Sequence, residues 1–196
     1  MSKQKKRIAI FISGRGSNMT VIAQNVASGI LQNCCEIVLV FSNKHEAKGL
    51  ATAQEMGLPT HCIPSRGKKR IRFDQSVVNY LQTHHTDLDY IVLAGYMRIL
   101  SKPFIEHFKG RIINIHPADT QAHKGLHAYD WAYEFGLKNT KITVHYVDEG
   151  MDTGQIIAQS VVDLQGVQSL EEVEKRGLAV EHQFYSQVLK QVFEAS

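Results

Sequence analysis

Short apolar runs rich in β-branched residues alternate with longer segments of helical period along most of the chain. KRIAIFI (6–12) predicts a strand that runs into the glycine-rich SGRGSN. NMTVIAQNVASG (18–29) follows with apolar residues at helical spacing. CEIVLVFSN (35–43) predicts a second strand, and AKGLATAQEMG (47–57) a helix stopped by glycine. LPTHCIP (58–64), with a proline near each end, predicts a weaker third strand, and RFDQSVVNYLQTH (72–84) a helix. LDYIVLAGY (88–96) is almost wholly apolar, as suits a central parallel strand covered on both faces. GRIINIHP (110–117) predicts the fifth strand, and LHAYDWAYEFG (126–136) another helix closed by glycine.

Beyond residue 140 the rhythm changes. KITVHYVD (141–148) and QIIAQSVVDL (155–164) are strand-like neighbours joined by EGMDTG, which suits an antiparallel pair at a sheet edge. A long helix over about 169–193 follows, opened by the capping-box pair Ser169 and Glu172. The expected class is therefore α/β: one Rossmann-like domain over 1–196, with a mostly parallel sheet, an antiparallel edge pair and a long C-terminal helix. At 196 residues, and roughly 150 per domain, a single domain is also what length predicts.

Composition narrows the class further. The chain is 43% hydrophobic and 21% charged, ordinary for a folded globular protein and unlike disorder, collagen or coiled coil. Its longest strongly apolar runs, such as YIVLAGYM (90–97), fall far short of the roughly 20 residues of a membrane span, so no membrane association is expected. Three cysteines without a C-x-x-C, and no apolar leader, suggest a reducing, cytoplasmic setting. A net charge of +3 does not by itself call for a nucleic-acid partner. The basic cluster Lys3, Lys5, Lys6 and Arg7 reads as a solvated lead-in to the first strand.

In sheets of this class ligands collect beyond the carboxyl ends of the strands, which directs attention to SGRGSN, AGYMRIL, NIHP and the 148–154 loop. SGRGSN follows a strand and opens a helix, so its amides suit a phosphate; it also suits a simple tight turn. The dinucleotide fingerprint fails at Met19, and Ser42 and Asn43 stand where a ribose-binding acid would be. A mononucleotide or sugar phosphate at Gly16, Ser17 and Asn18 fits better than a dinucleotide or ATP. Strand alternation points Asn114 and His116 to one face. An amide donor beside an imidazole suits acyl transfer, although a histidine at a strand end is often only a surface residue. Asp152, between glycines, is placed either to orient His116 and raise its pKa or to cap its own turn. His116, Asp119, His123 and His127 also raise a metal reading, but Gly125 interrupts any helical face, and no metal is expected.

ISGRGSN, SNK, AGYMRIL, NIHP, KGLH, VHYVDEGMDTG with IIAQ after it, and EH in the last helix occur in order. As a set, over roughly 6–193, the chain resembles the phosphoribosylglycinamide formyltransferase family, the folate-dependent transformylases of purine synthesis. The resemblance implies transfer of the formyl group of 10-formyltetrahydrofolate to the amine of glycinamide ribonucleotide. It assigns the catalytic trio to Asn114, His116 and Asp152. It places the ribotide phosphate on Gly16, Ser17 and Asn18 and the ribose on Glu181. The folate falls to Met97, Arg98, Ile99, Leu100 and Asn114, with Arg70 near its tail. His145 would support the site from the neighbouring strand or serve only the core. The phosphate-binding half would span about 1–100 and the folate and catalytic half about 90–196. Small-molecule substrates, no nucleic acid, and a monomer or homodimer complete the expectation.

The chain departs from the family pattern in one loop. Where a Ser-Leu-Leu-Pro type sequence is usual, it has Ala118, Asp119, Thr120, Gln121, Ala122, His123 and Lys124 at unchanged length. Polar groups beside the catalytic histidine put the acceptor in question more than the reaction. Gln155, where proline is frequent, is a smaller change. The rival readings are a formyltransferase for another amino acceptor, a non-catalytic folate or ribotide binder, and RNA binding through Arg66–Arg72. A tRNA-directed relative would be expected to continue into a further domain, and a nucleotide-sugar enzyme to be longer. The RNA reading lacks the aromatic residues that stacked bases require.

Overall fold

The computed structural model describes residues 4–196; Lys3 of the N-terminal basic cluster lies outside the described residues. A seven-stranded sheet has the order β3-β2-β1-β4-β5-β6-β7. Its strands are β1 (Lys6–Ile12), β2 (Cys35–Ser42), β3 (Thr60–Cys62), β4 (Tyr90–Leu93), β5 (Ile112–His116), β6 (Asn139–Tyr146) and β7 (Ile156–Asp163). The helices are α1 (Ser17–Ser28), α2 (Lys48–Glu55), α3 (Arg70–His84), α4 (Lys102–His107), α5 (Ala128–Glu134) and α6 (Leu170–Ala195). The first five strands are parallel, and β6 runs antiparallel to both β5 and β7, so the antiparallel pair lies at the sheet edge.

Two elements differ from the sequence pattern. The apolar run 88–96 forms a strand only over Tyr90–Leu93, because the sheet ladder stops where the chain turns at Gly95. Helix α4 was not anticipated, and it has a legible start: Ser101 stands at the N-cap position, with proline in its first turn. Arg7, expected to be solvated, is ion-paired with Glu36 and, at 2.8 Å, with Asp87.

Strand alternation builds a core on each face of the sheet. Ile8, Ile10 and Ile12 of β1 join residues of α1, α2 and α6 on one face, while Ala9 and Phe11 join α3 and α4 on the other. The same alternation runs through the site strands. Ile113, Ile115, Ile142 and Val144 face the α1 and α6 side, which leaves Asn114, His116, Thr143 and His145 on the opposite face. Of these, Asn114, His116 and His145 line a cavity, while Thr143 is buried.

Helix α6 is anchored at both ends of this design. Ser169 Oγ accepts the Glu172 N–H at 3.2 Å, and Glu172 accepts the Gln168 N–H at 3.0 Å, one residue outside the usual box. Tyr185, fully buried, directs its hydroxyl at the carbonyls of Leu93 (3.0 Å) and Ile113 (3.1 Å), where β4 meets β5. Among the described residues no helix is long and apolar enough to cross a membrane. Tyr185→Phe is expected to lower the unfolding free energy by about 1 kcal/mol, read by urea denaturation, because two buried carbonyls lose a shared donor. An unchanged midpoint would show that the hydroxyl contributes nothing there.

Candidate active site

Asn114 and His116 project from β5 into a cavity of about 830 Å³, within the range of small-molecule sites. One wall is the segment Gly95–Leu100, including Met97, Arg98, Ile99 and Leu100, with Arg70 at the start of α3. The opposite wall is formed by 124–128 and by 147–152, including Asp152. The trio and the proposed folate residues are thus brought to one cavity.

Asp152 makes the constellation. Its Oδ2 accepts the Gly125 N–H at 2.8 Å and lies 3.4 Å from His116 Nδ1; its Oδ1 lies 3.4 Å from His145 Nε2 and 3.5 Å from Asn114 Nδ2. None of these partners is its own turn, which decides between the two placements left open above. Asp152 itself has φ 51°, a left-handed conformation uncommon outside glycine. Gly154 permits it: a Cβ there would collide with the Tyr146 carbonyl. The loop does not leave from the carboxyl end of the parallel strands, as expected for 148–154. Because β6 is reversed, Val147 N–H reaches Ile112 O at the start of β5 (2.9 Å), and the loop folds back across the sheet face to deliver its carboxylate.

The electrostatics correct one expectation. His116 is only 4% exposed, and burial pulls its pKa below the ordinary histidine value; Asp152 and the His123 carbonyl oppose this without overcoming it. Asp152 therefore does not hold the ring charged at neutrality in the ligand-free protein. For Asp152, burial pushes upward, but hydrogen bonds from His145 and the Gly125 N–H, with His116 and His145 nearby, bring its pKa below the usual carboxylate value. The result is a neutral ring beside an ionised carboxylate.

The 118–124 loop is tied to β6 and β7 at Ala118 and Asp119. Asp119 pairs with Lys141 at 2.7 Å and accepts from Gln159 at 3.2 Å, while Thr143 Oγ1 donates to Ala118 O at 2.7 Å. The His123 carbonyl lies 3.1 Å from His116 Nε2, and its ring stacks 4.9 Å from Trp131. His127 is exposed and contacts Asp130. Among the described residues no group of three or more His, Cys, Asp or Glu is arranged to hold a metal ion.

Gly16, Ser17, Asn18 and Glu181 do not line the cavity. They form a second cluster: Gly16, at φ 76°, turns the chain into α1, and Asn18 Nδ2 donates to Glu181 Oε2 at 2.6 Å. Glycine is favoured at 16, given that angle and because a Cβ there would come within 3.0 Å of Gly49 Cα. Ser13 connects the two regions. Its N–H donates to Gly95 O (3.0 Å), its hydroxyl to Asn43 (2.6 Å), and the Met97 N–H donates to that hydroxyl (2.8 Å). Tyr129 escapes sequence reading because no motif marks it. His145 lies in the VHYVDEGMDTG motif, but its pairing with Asn114 appears only in the register.

A sequence profile of the formyl transferase family matches residues 6–189. The phosphoribosylglycinamide formyltransferase of Bacillus subtilis is 36% identical over 188 residues, 95% of this chain and 94% of that protein. The trifunctional purine biosynthetic protein adenosine-3 of Drosophila pseudoobscura is 41% identical over 165 residues, and the matched region spans 12% of its length. The crystal structure of phosphoribosylglycinamide formyltransferase from Bacillus halodurans superposes with a TM-score of 0.89 at 37% identity, covering 95% of each chain. A Rossmann-like sheet with an amide, imidazole and carboxylate over one cavity is the class of a one-carbon group transferase, and the chain belongs to the formyl transferase family. Within that family, it is the phosphoribosylglycinamide formyltransferases that it matches over nearly its full length.

His116 gives a direct test. Its ring is expected to titrate below about 6.5 by NMR, with Asp152→Asn moving the midpoint lower still, because the charge that favours the imidazolium is gone. In the unfolded chain this histidine takes up a proton more readily. Its contribution to stability is therefore full above about pH 6.5 and is lost as pH falls towards the folded value. A midpoint that rises in Asp152→Asn would overturn this account of the pair.

Proposed function

We propose that the chain transfers the formyl group of 10-formyltetrahydrofolate to the amine of glycinamide ribonucleotide, in purine biosynthesis. The observation that carries the reading is the convergence of Asn114, His116 and Asp152 on one cavity beside the Met97–Leu100 backbone. In this reading Met97, Arg98, Ile99 and Leu100 frame the pterin, with Asn114 at its reactive end and Arg70 towards its tail. The exposed side chains of Met97 and Ile99 at this wall offer apolar cover to a flat ring. Gly16, Ser17 and Asn18 hold the ribotide phosphate at the start of α1, where unpaired amides favour an anion, and Glu181 takes the ribose hydroxyls. Residues up to about 100 thus serve the phosphate, and those from about 90 onward the folate and the chemistry.

The chemistry follows from this arrangement. As the amine attacks the formyl carbon, negative charge grows on the formyl oxygen, and the Asn114 amide N–H is placed to receive it. His116 begins neutral. The attacking amine becomes acidic as its nitrogen bonds to carbon, and His116 takes its proton. Asp152 favours the imidazolium so formed, and the ring delivers the proton to the folate nitrogen as its bond to the formyl carbon breaks. Its Nε2 is engaged by the His123 carbonyl in the free protein, so substrate binding displaces that contact. A cytoplasmic setting accords with three unpaired cysteines, of which Cys35 is pushed up to about 12, chiefly by burial.

Turnover of 10-formyltetrahydrofolate, followed by folate absorbance, is expected to require glycinamide ribonucleotide. Asn114→Ala should lose about 10²–10³ in kcat as an oxyanion donor. His116→Ala should lose about 10²–10⁴ as a proton shuttle. Full activity in His116→Ala would overturn the mechanism. Folate turnover with a different amine, and none with the ribotide, would overturn the acceptor and direct attention to the polar 118–124 loop.

A further inference from the structure

Glu181 is 6% exposed and is gripped from two other helices. Asn18 of α1 donates to its Oε2 at 2.6 Å, and the Tyr129 hydroxyl of α5 donates to its Oε1. The phenol lies against Gly177, one helical turn before Glu181 on α6, where any Cβ would collide with the ring. Tyr129 is therefore seated by shape as well as by its hydrogen bond. Asn18 commits its Nδ2 to Glu181, while its Oδ1 is buried without a partner. A ligand hydroxyl or amine is the chemistry that would complete it.

Tyr129 also ends a stretch that touches the transfer centre. Within 123–129, the His123 carbonyl contacts His116, the Gly125 N–H binds Asp152, and the Tyr129 hydroxyl binds Glu181. We propose that Tyr129 is a positioning residue that fixes the Glu181 carboxylate for the ribose hydroxyls and joins that contact, through 123–129, to the transfer centre. The inference rests on the function proposed above and adds to it a residue that no motif marks. With both carboxylate oxygens held by donors from separate helices, the remaining lone pairs of Glu181 have fixed directions. Without the phenol, one oxygen is free to turn.

The test is a cycle of Tyr129→Phe, Glu181→Gln and the double variant, with KM measured for glycinamide ribonucleotide and for 10-formyltetrahydrofolate. Tyr129→Phe is expected to raise the ribotide KM about 10-fold, as suits loss of a hydrogen bond to a charged group, and to leave the folate KM within about two-fold. The double variant should resemble Glu181→Gln alone, because the phenol acts only through that carboxylate. A general loss of fold would remove active protein and lower kcat without this one-sided change in KM. An unchanged ribotide KM in Tyr129→Phe, or penalties that multiply in the double variant, would overturn the inference while the wild-type reaction stands. A wild-type protein that does not turn over the ribotide removes the proposed function, and this inference with it.

Discussion

The carboxylate of Asp152 is the constraint on which the site depends. It reaches back over the sheet from a reversed strand and meets a backbone amide of one loop and three side chains of two strands. Burying an ionised carboxylate is costly unless donors surround it. Here the Gly125 amide donates to it and His116, His145 and Asn114 approach it, so placing one charge positions each of them. The loop conformation that delivers it, with Asp152 at a positive φ and Gly154 pressed on Tyr146, is strained locally and held by those contacts.

The cavity exists because strand alternation is continued with different chemistry. In β1 both faces are apolar and both are covered. In β5 and β6 one face remains apolar and packs on α6, while the other carries Asn114, His116, Thr143 and His145 beyond the end of α4. The two strands need both properties: the apolar side fixes them in the sheet, and that rigidity holds the polar side in register. Tyr185 strengthens the same junction from below through the carbonyls of Leu93 and Ile113.

Burial around His116 has a consequence for the reaction. In the proposed reaction, a ring kept neutral by burial, next to an ionised carboxylate, gains its charge as charge develops on the substrate, which is the differential stabilisation that would accelerate the step. The altered 118–124 loop leaves this intact. Asp119 is answered by Lys141 and Gln159 and the Ala118 carbonyl by Thr143, all on β6 and β7, and the loop keeps its length and its approach to the histidine.

Much of the architecture was legible in the residues themselves. The period of apolar positions marked every strand and all helices except α4, whose Ser101 and Pro103 signal spans too short an element to show periodicity. Asn114 and His116 were read together because alternation is a local property of one strand, and the ordered set of motifs marked the family. What the sequence could not contain was the pairing of distant segments. The reach of Asp152 depends on β6 running backwards, the partnership of His145 with Asn114 on cross-strand register, and the grip on Glu181 on three helices separated widely along the chain. The protonation of His116 lies beyond the sequence for the same reason. A neighbouring carboxylate is visible in a motif, but the exclusion of water that outweighs it is produced only when the whole fold closes over the ring.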